Sequence, residues 1–173
     1  MKTFKLLSAL FACLTCMPLW AQTVWHNPTD QDFPTIHGQA WQGELQGTYW
    51  RLPERAKAIV RKPVWDLSRS SAGLSIVFRT NAPEIQIRYQ VTGSHAMAHM
   101  PATGKTGVDL YATDIDGRQR WCAGKYAFGD TIRYNYTKLT YFTDPGHGYE
   151  YQLFLPPYNE VEWMEIGVPE GSK

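Results

Sequence analysis

From Trp41 onward the chain runs in short stretches that alternate apolar and polar residues, divided by Gly, Pro, Asn and Asp, with no sustained helical period. Alternation of this kind buries one face of an extended strand and wets the other, so it predicts an antiparallel β protein. In residues 73–80, Leu74, Ile76 and Phe78 share a face. In residues 84–91, Ile85, Ile87, Tyr89 and Val91 do so with Gln86, Arg88 and Gln90 opposite, and Asn81-Ala82-Pro83 makes the turn between the two runs. Val108, Leu110 and Ala112 continue the scheme, and Asp116-Gly117 signals a hairpin into a strand at residues 119–122. Further strands are expected at 131–136, 139–142, 149–155 and 161–168, and the one helical turn at 53–58, flanked by Pro63. About eight or nine short strands in a chain of 173 residues predict an all-β fold, a two-sheet antiparallel β-sandwich of jelly-roll-like form.

Residues 1–21 stand apart from this pattern. Lys2 and Lys5 make a positive start, Leu6 to Leu14 an apolar run, and Leu19-Trp20-Ala21 offers a small residue for cleavage before Gln22. These are the parts of a secretory signal peptide, and the apolar run is shorter than the ~20 residues of a spanning helix. The sequence therefore predicts a signal at 1–21, a single domain at 22–173, and export to the periplasm or the medium. A lipoprotein alternative rests on Leu10-Phe11-Ala12-Cys13, whose flanks are short. Cys13 and Cys16 fall within the signal, which leaves Cys122 alone and the domain dependent on packing rather than on disulfides. Loss of Lys2 and Lys5 takes the net charge from +1 to −1, a balance that suggests neither nucleic acid nor, after cleavage, a membrane as partner.

Several local patterns imitate catalytic or metal sites. Gly129-Asp130-Thr131-Ile132 has the look of a nucleophile block with threonine in place of serine, and Asp144-Pro145-Gly146-His147 has an acid–base spacing. An α/β hydrolase needs parallel strands joined by long crossovers, and the gap between these blocks has no room for two such units. An internal threonine also lacks the α-amine that most simply activates it. Both blocks read as turns. His95 and His99 are four residues apart, but Gly93, Pro101 and Gly104 deny them a helix, and no nearby Cys, Asp or Glu completes a zinc set. Asp114-x-Asp116-Gly117 is the start of a calcium loop without its downstream glutamate and reads as a hairpin turn. No metal or cofactor is implied.

Aromatic residues carry the stronger signal. Past residue 21 there are six tryptophans and ten tyrosines, more than two facing layers of a small sandwich require, so some are expected at the surface. Tyr134, Tyr136 and Tyr141 lie among Asn135, Lys138 and Thr140, and Trp121 follows Arg118 and Arg120. In the stretch Gly107-Val108-Asp109-Leu110-Tyr111, inward Val108 and Leu110 place Asp109 and Tyr111 on the opposite face. An acid and a phenol there suit a ligand, a loop cap or a domain contact, and hydrogen bonding to nearby backbone is the commoner fate of such an Asp.

That stretch resembles the Gly-x-Asp-Leu-Tyr signature of the N-terminal domain that precedes the catalytic domain in bacterial SGNH hydrolase-type esterases. Val64-Trp65-Asp66-Leu67-Ser68, Ser71-Ala72-Gly73-Leu74, Phe78-Arg79-Thr80, Met100-Pro101-Ala102-Thr103-Gly104, Leu155-Pro156-Pro157-Tyr158-Asn159 and Ile166-Gly167-Val168 follow in the same order as in that domain. The resemblance implies a jelly-roll-like β domain ahead of a hydrolase that deacylates carbohydrate or related esters. The Gly-x-Ser nucleophile block, the oxyanion Gly and Asn, and the Asp-x-x-His of that hydrolase have no counterpart here, so no catalytic residue carries over. The function expected is a non-catalytic accessory domain that docks on an SGNH hydrolase domain, in cis or in trans, and shapes its substrate cleft. The alternative is a free-standing carbohydrate-binding module, with polysaccharide as partner. Candidate ligand or domain-interface residues are His99, Asp109, Tyr111, Trp121, Tyr134 and Tyr136.

Overall fold

The computed structural model describes residues 22–139 and 149–173. The expected signal with Cys13 and Cys16, the strand at 139–142 beyond Leu139, Tyr141, and the Asp144–His147 block lie outside those residues. Among the described residues, ten strands form two antiparallel sheets. One sheet, A, runs β1 (Thr23–His26), β10 (Val161–Pro169), β4 (Ile85–Val91), β8 (Ile132–Tyr136), β7 (Gly124–Ala127). The other, B, runs β2 (Ile36–His37), β3 (Ser75–Thr80), β9 (Tyr149–Phe154), β5 (Asp109–Thr113), β6 (Gln119–Cys122). Without β2 and β7, which are added beside β3 and β8, the two four-stranded orders are those of a jelly roll.

Period-two alternation places the core. Ile85, Ile87 and Tyr89 of β4, Ile132, Tyr134 and Tyr136 of β8, and Met164 and Ile166 of β10 face Ile76, Leu110, Ala112, Tyr151 and Leu153 of sheet B, all of them buried. Tyr89 reconciles its phenol with this interior by donating to the Thr106 carbonyl at 2.7 Å, whereas the Tyr136 hydroxyl is buried with no hydrogen-bond partner among the described residues. Burial pushes the ionisation of both phenols upward, so both stay neutral. Removing each hydroxyl therefore has opposite consequences. Tyr89→Phe is expected to cost about 1–3 kcal/mol, while Tyr136→Phe leaves stability unchanged or raises it by up to ~1 kcal/mol, as urea unfolding of the two variants would report.

The β5–β6 hairpin turns at Gly117, whose φ of +73° suits glycine. Asp114 accepts from the Asp116 and Arg118 amides and from Arg120 Nε at 2.7 Å, and the Arg120 bond foremost holds its carboxyl below the usual range. The turn thus uses the aspartate that resembled a calcium ligand. Cys122 is buried, and desolvation pushes its thiol up to about 11, which keeps it protonated and unreactive at neutral pH.

Two elements depart from the sequence reading. The turn expected at 53–58 is a 3-10 turn, Glu54–Ala58, and it is followed by an α-helix, α1 (Lys62–Ser68), beyond the one helical turn that the sequence predicts. Proline is at home in the first helical turn, where its missing N–H has no intrahelical partner to lose. A second short helix, α2 (Ala102–Lys105), leads into β5. Beyond that, β1, β2 and β7 extend the sandwich with short runs whose alternation is too brief to read.

Candidate functional site

Of the six candidate residues, three share an outer face, two lie in the core, and His99 stands apart on a loop. On sheet B, the residues of β5 alternate as expected: Val108 and Leu110 are buried, and Asp109 and Tyr111 turn outward. Antiparallel register sets Asp109 beside Phe154 and Tyr111 between Gln152 of β9 and Trp121 of β6. Trp121 Nε1 donates to Asp109 Oδ1 at 3.1 Å, so the carboxylate takes an indole N–H rather than a backbone amide. Tyr111 and Phe154 meet edge to face with ring centroids 5.6 Å apart. Beside them Gln119 Nε2 donates to Gln152 Oε1, and Gln152 Nε2 to Ser75 Oγ, a chain that orients both carboxamides. One row farther along, Arg79 and Glu150 pair at 3.3 Å. Trp121 remains 57% exposed and Phe154 37%.

Tyr134 and Tyr136 do not join this face. They alternate with outward Arg133 and Asn135 on β8, so the strand period sends both rings inward, where Tyr134 stacks with Tyr89 on one side and with Tyr136 on the other. At 6% and 2% exposed they are packing residues, and desolvation foremost pushes the Tyr134 phenol up to about 12. His99 lies exposed in the tight turn between Met97 and Met100, on a different loop, while His95 packs on the Phe128 ring. Asp130 and Thr131 occupy the bend into β8. Two clefts of about 490 and 530 Å³ flank the segment around Phe33, and none of the six candidates lines either one.

Each position of the Gly107–Tyr111 signature has a distinct physical task. A Cβ on Gly107 would lie 2.3 Å from the Thr103 carbonyl oxygen and 2.7 Å from the Tyr134 hydroxyl, so only glycine fits where α2 meets β5. Val108 and Leu110 fill the core, Asp109 fixes the Trp121 indole, and Tyr111 braces Phe154. A model of the GxDLY family, the N-terminus of SGNH hydrolase-type esterases, matches residues 23–173. The chain belongs to the GxDLY family. Among solved structures, it is similar to a GDSL-like lipase from Bacteroides ovatus, at 23% identity and a TM-score of 0.73, over 88% of this chain and 42% of that one. It is also similar to the salicylyl-acyltransferase SsfX3 of a tetracycline biosynthetic pathway, at 19% identity and a TM-score of 0.56, over 87% of this chain and 40% of that one. At these identities the likeness is one of fold, and this GxDLY chain spans about two-fifths of each of those proteins. No curated protein matches the chain.

The sequence reading missed Phe154, Gln152 and Gln119 as members of the face. Each is an outward residue on its own strand, and only the β6–β5–β9 pairing brings them beside Asp109 and Tyr111. A second outward feature it missed is a set of exposed aliphatic side chains on α1 and the turn before it, with Ile59 75%, Leu67 64% and Val64 38% exposed. The helix bearing it is firmly anchored. The Arg69 guanidinium lies between the Trp65 and Trp50 rings, at 3.9 and 3.6 Å from their centroids, and Trp50 Nε1 donates to Glu160 Oε1. Arg51 Nε donates to the Ser70 carbonyl and Arg51 Nη2 to that of Leu67.

Proposed function

We propose that this GxDLY domain is a non-catalytic accessory module that docks on an SGNH hydrolase domain, in cis or in trans, through the apolar patch of Ile59, Val64 and Leu67, and forms one wall of its substrate cleft. The observation that carries this reading is the patch itself. Three large aliphatic side chains stand in solvent on a segment fixed to the sandwich by the Trp65–Arg69–Trp50 stack, a rigid apolar surface of the sort domain contacts cover. Membership of a family described as the N-terminus of SGNH hydrolase-type esterases supports an SGNH hydrolase domain as that partner. The module is exported to the periplasm or medium after cleavage near Ala21, a step that N-terminal sequencing of the mature protein checks.

Docking is tested by titrating residues 22–173 into the SGNH hydrolase domains of the source organism, each expressed without its own N-terminal sandwich, and following heat and sedimentation. At least one is expected to form a one-to-one complex. Leu67→Asp places a charge in the contact and is expected to weaken it by on the order of a hundredfold, with the unfolding midpoint of the free module unchanged. Absence of binding to every such domain, or binding indifferent to Leu67→Asp and Ile59→Asp together, contradicts the proposal.

A further inference from the structure

The outer face of sheet B is built differently from the outer face of sheet A. On the outer face of sheet A, the Arg88 guanidinium covers the Trp25 ring at 3.9 Å from its centroid and pairs with Glu165, the Trp163 indole N–H goes to Gln90, and Arg133 and Lys125 add positive charge. On sheet B, among the described residues, no cation caps Trp121, and its indole N–H is held by Asp109. The ring is thus positioned and still more than half exposed. Across β9, β5 and β6, a lateral distance of about 10 Å at ordinary strand spacing, Phe154, Tyr111 and Trp121 form an aromatic diagonal. Asp109 and the Gln119–Gln152–Ser75 chain border that diagonal with oriented acceptors and amide donors.

We infer that this face is a binding platform for a neutral glycan chain. The charge of the face selects the ligand class. Arg79 and Glu150 pair with each other, so among the described residues of the face Asp109 is the charge left without an ion-pair partner, and a polyanion meets no free cation among them. A purely apolar ligand would strip water from Asp109 and two carboxamides without replacing their hydrogen bonds. A sugar chain satisfies both demands: its C–H faces lie on the exposed rings, and its hydroxyls donate to Asp109 and exchange hydrogen bonds with Gln119 and Gln152. The platform lies within this chain alone and does not depend on docking to a hydrolase.

The test uses the isolated module, residues 22–173, titrated with xyloglucan and xylan fragments, which are neutral, and with de-esterified pectin fragments, which are polyanionic. Tryptophan fluorescence and calorimetry are the readouts. A neutral glycan is expected to bind with a Kd below about 1 mM, and Trp121→Ala to weaken it by on the order of tenfold or more with an unchanged unfolding midpoint. Trp163→Ala, on the opposite sheet, is expected to leave binding as it was. No response to either neutral glycan, binding of the pectin fragments alone, or binding that survives Trp121→Ala and Tyr111→Ala together would overturn the inference. The docking titration uses a different face and different variants, so either result can fail without the other.

Discussion

Gly107→Ala is expected to destabilise the module by at least about 3 kcal/mol, lowering the unfolding midpoint by roughly 10 °C. The added methyl would sit 2.3 Å from the Thr103 carbonyl oxygen and 2.7 Å from the Tyr134 hydroxyl. Neither neighbour yields easily. Thr103 belongs to α2, whose last turn is fixed by the Lys105 and Thr106 amides donating to the Pro101 and Ala102 carbonyls, and Tyr134 is wedged among Tyr89, Tyr126, Phe128 and Tyr136. Relief would require α2 to move off β5 or the aromatic cluster to repack. Gly43→Ala is the control: a Cβ there meets nothing within 4 Å and φ is not positive, so its effect is expected within ~0.5 kcal/mol. Equal thermal midpoints for Gly107→Ala and Gly43→Ala would refute the packing account of the family's glycine.

Asn159→Ala is expected to cost about 2–4 kcal/mol, because Asn159 ties together three segments distant in sequence. Its Nδ2 donates to Thr106 Oγ1 at 2.7 Å and to the Ser94 carbonyl at 3.0 Å, while its own carbonyl accepts from the Ser71 amide. Thr106 in turn donates to the His95 carbonyl and accepts from Tyr89, and the buried Lys105 ammonium donates to both oxygens of Ser94. Truncation leaves the Thr106 hydroxyl short of a donor and opens a void beside Gly93, whose backbone lies so close to Asn159 Oδ1 that a Cβ would approach it to 2.3 Å. The two sites are therefore coupled. Gly93→Ala is expected to be costly in the parent and much less so in the Asn159→Ala background, whereas strictly additive unfolding free energies would show that the contact does not bind the loop.

Strand identity was legible in the sequence because one face of each strand is buried. Ile85-x-Ile87-x-Tyr89 and Val108-x-Leu110-x-Ala112 announce their inward faces, and the Asp116-Gly117 hairpin declares its own register. The same rule applied to β8 sends Tyr134 and Tyr136 inward with Ile132, so the two tyrosines were readable as core once the strand was set against its polar neighbours Arg133 and Asn135. What single strands do not carry is their pairing across the sheet. The hairpin sets β6 and Trp121 beside β5, but Phe154 lies far from Asp109 in sequence, and nothing local says that β9 flanks β5 on the other side. Helix α1 was hidden for another reason: Pro63 reads as a breaker unless it falls in the first turn, and seven residues give too little period to show that it does. The lock around Asn159 is likewise tertiary, since its partners are single polar residues in loops.

In the proposed function the module is a partner for an SGNH hydrolase domain and contacts it through α1. Hydrogen–deuterium exchange of residues 22–173, free and in complex with that hydrolase domain, tests this most directly. Slowed exchange is expected across residues 54–68 on complex formation, with 109–113 and 119–122 unchanged. Protection confined to the outer face of sheet B, or none anywhere at saturating partner, would contradict it.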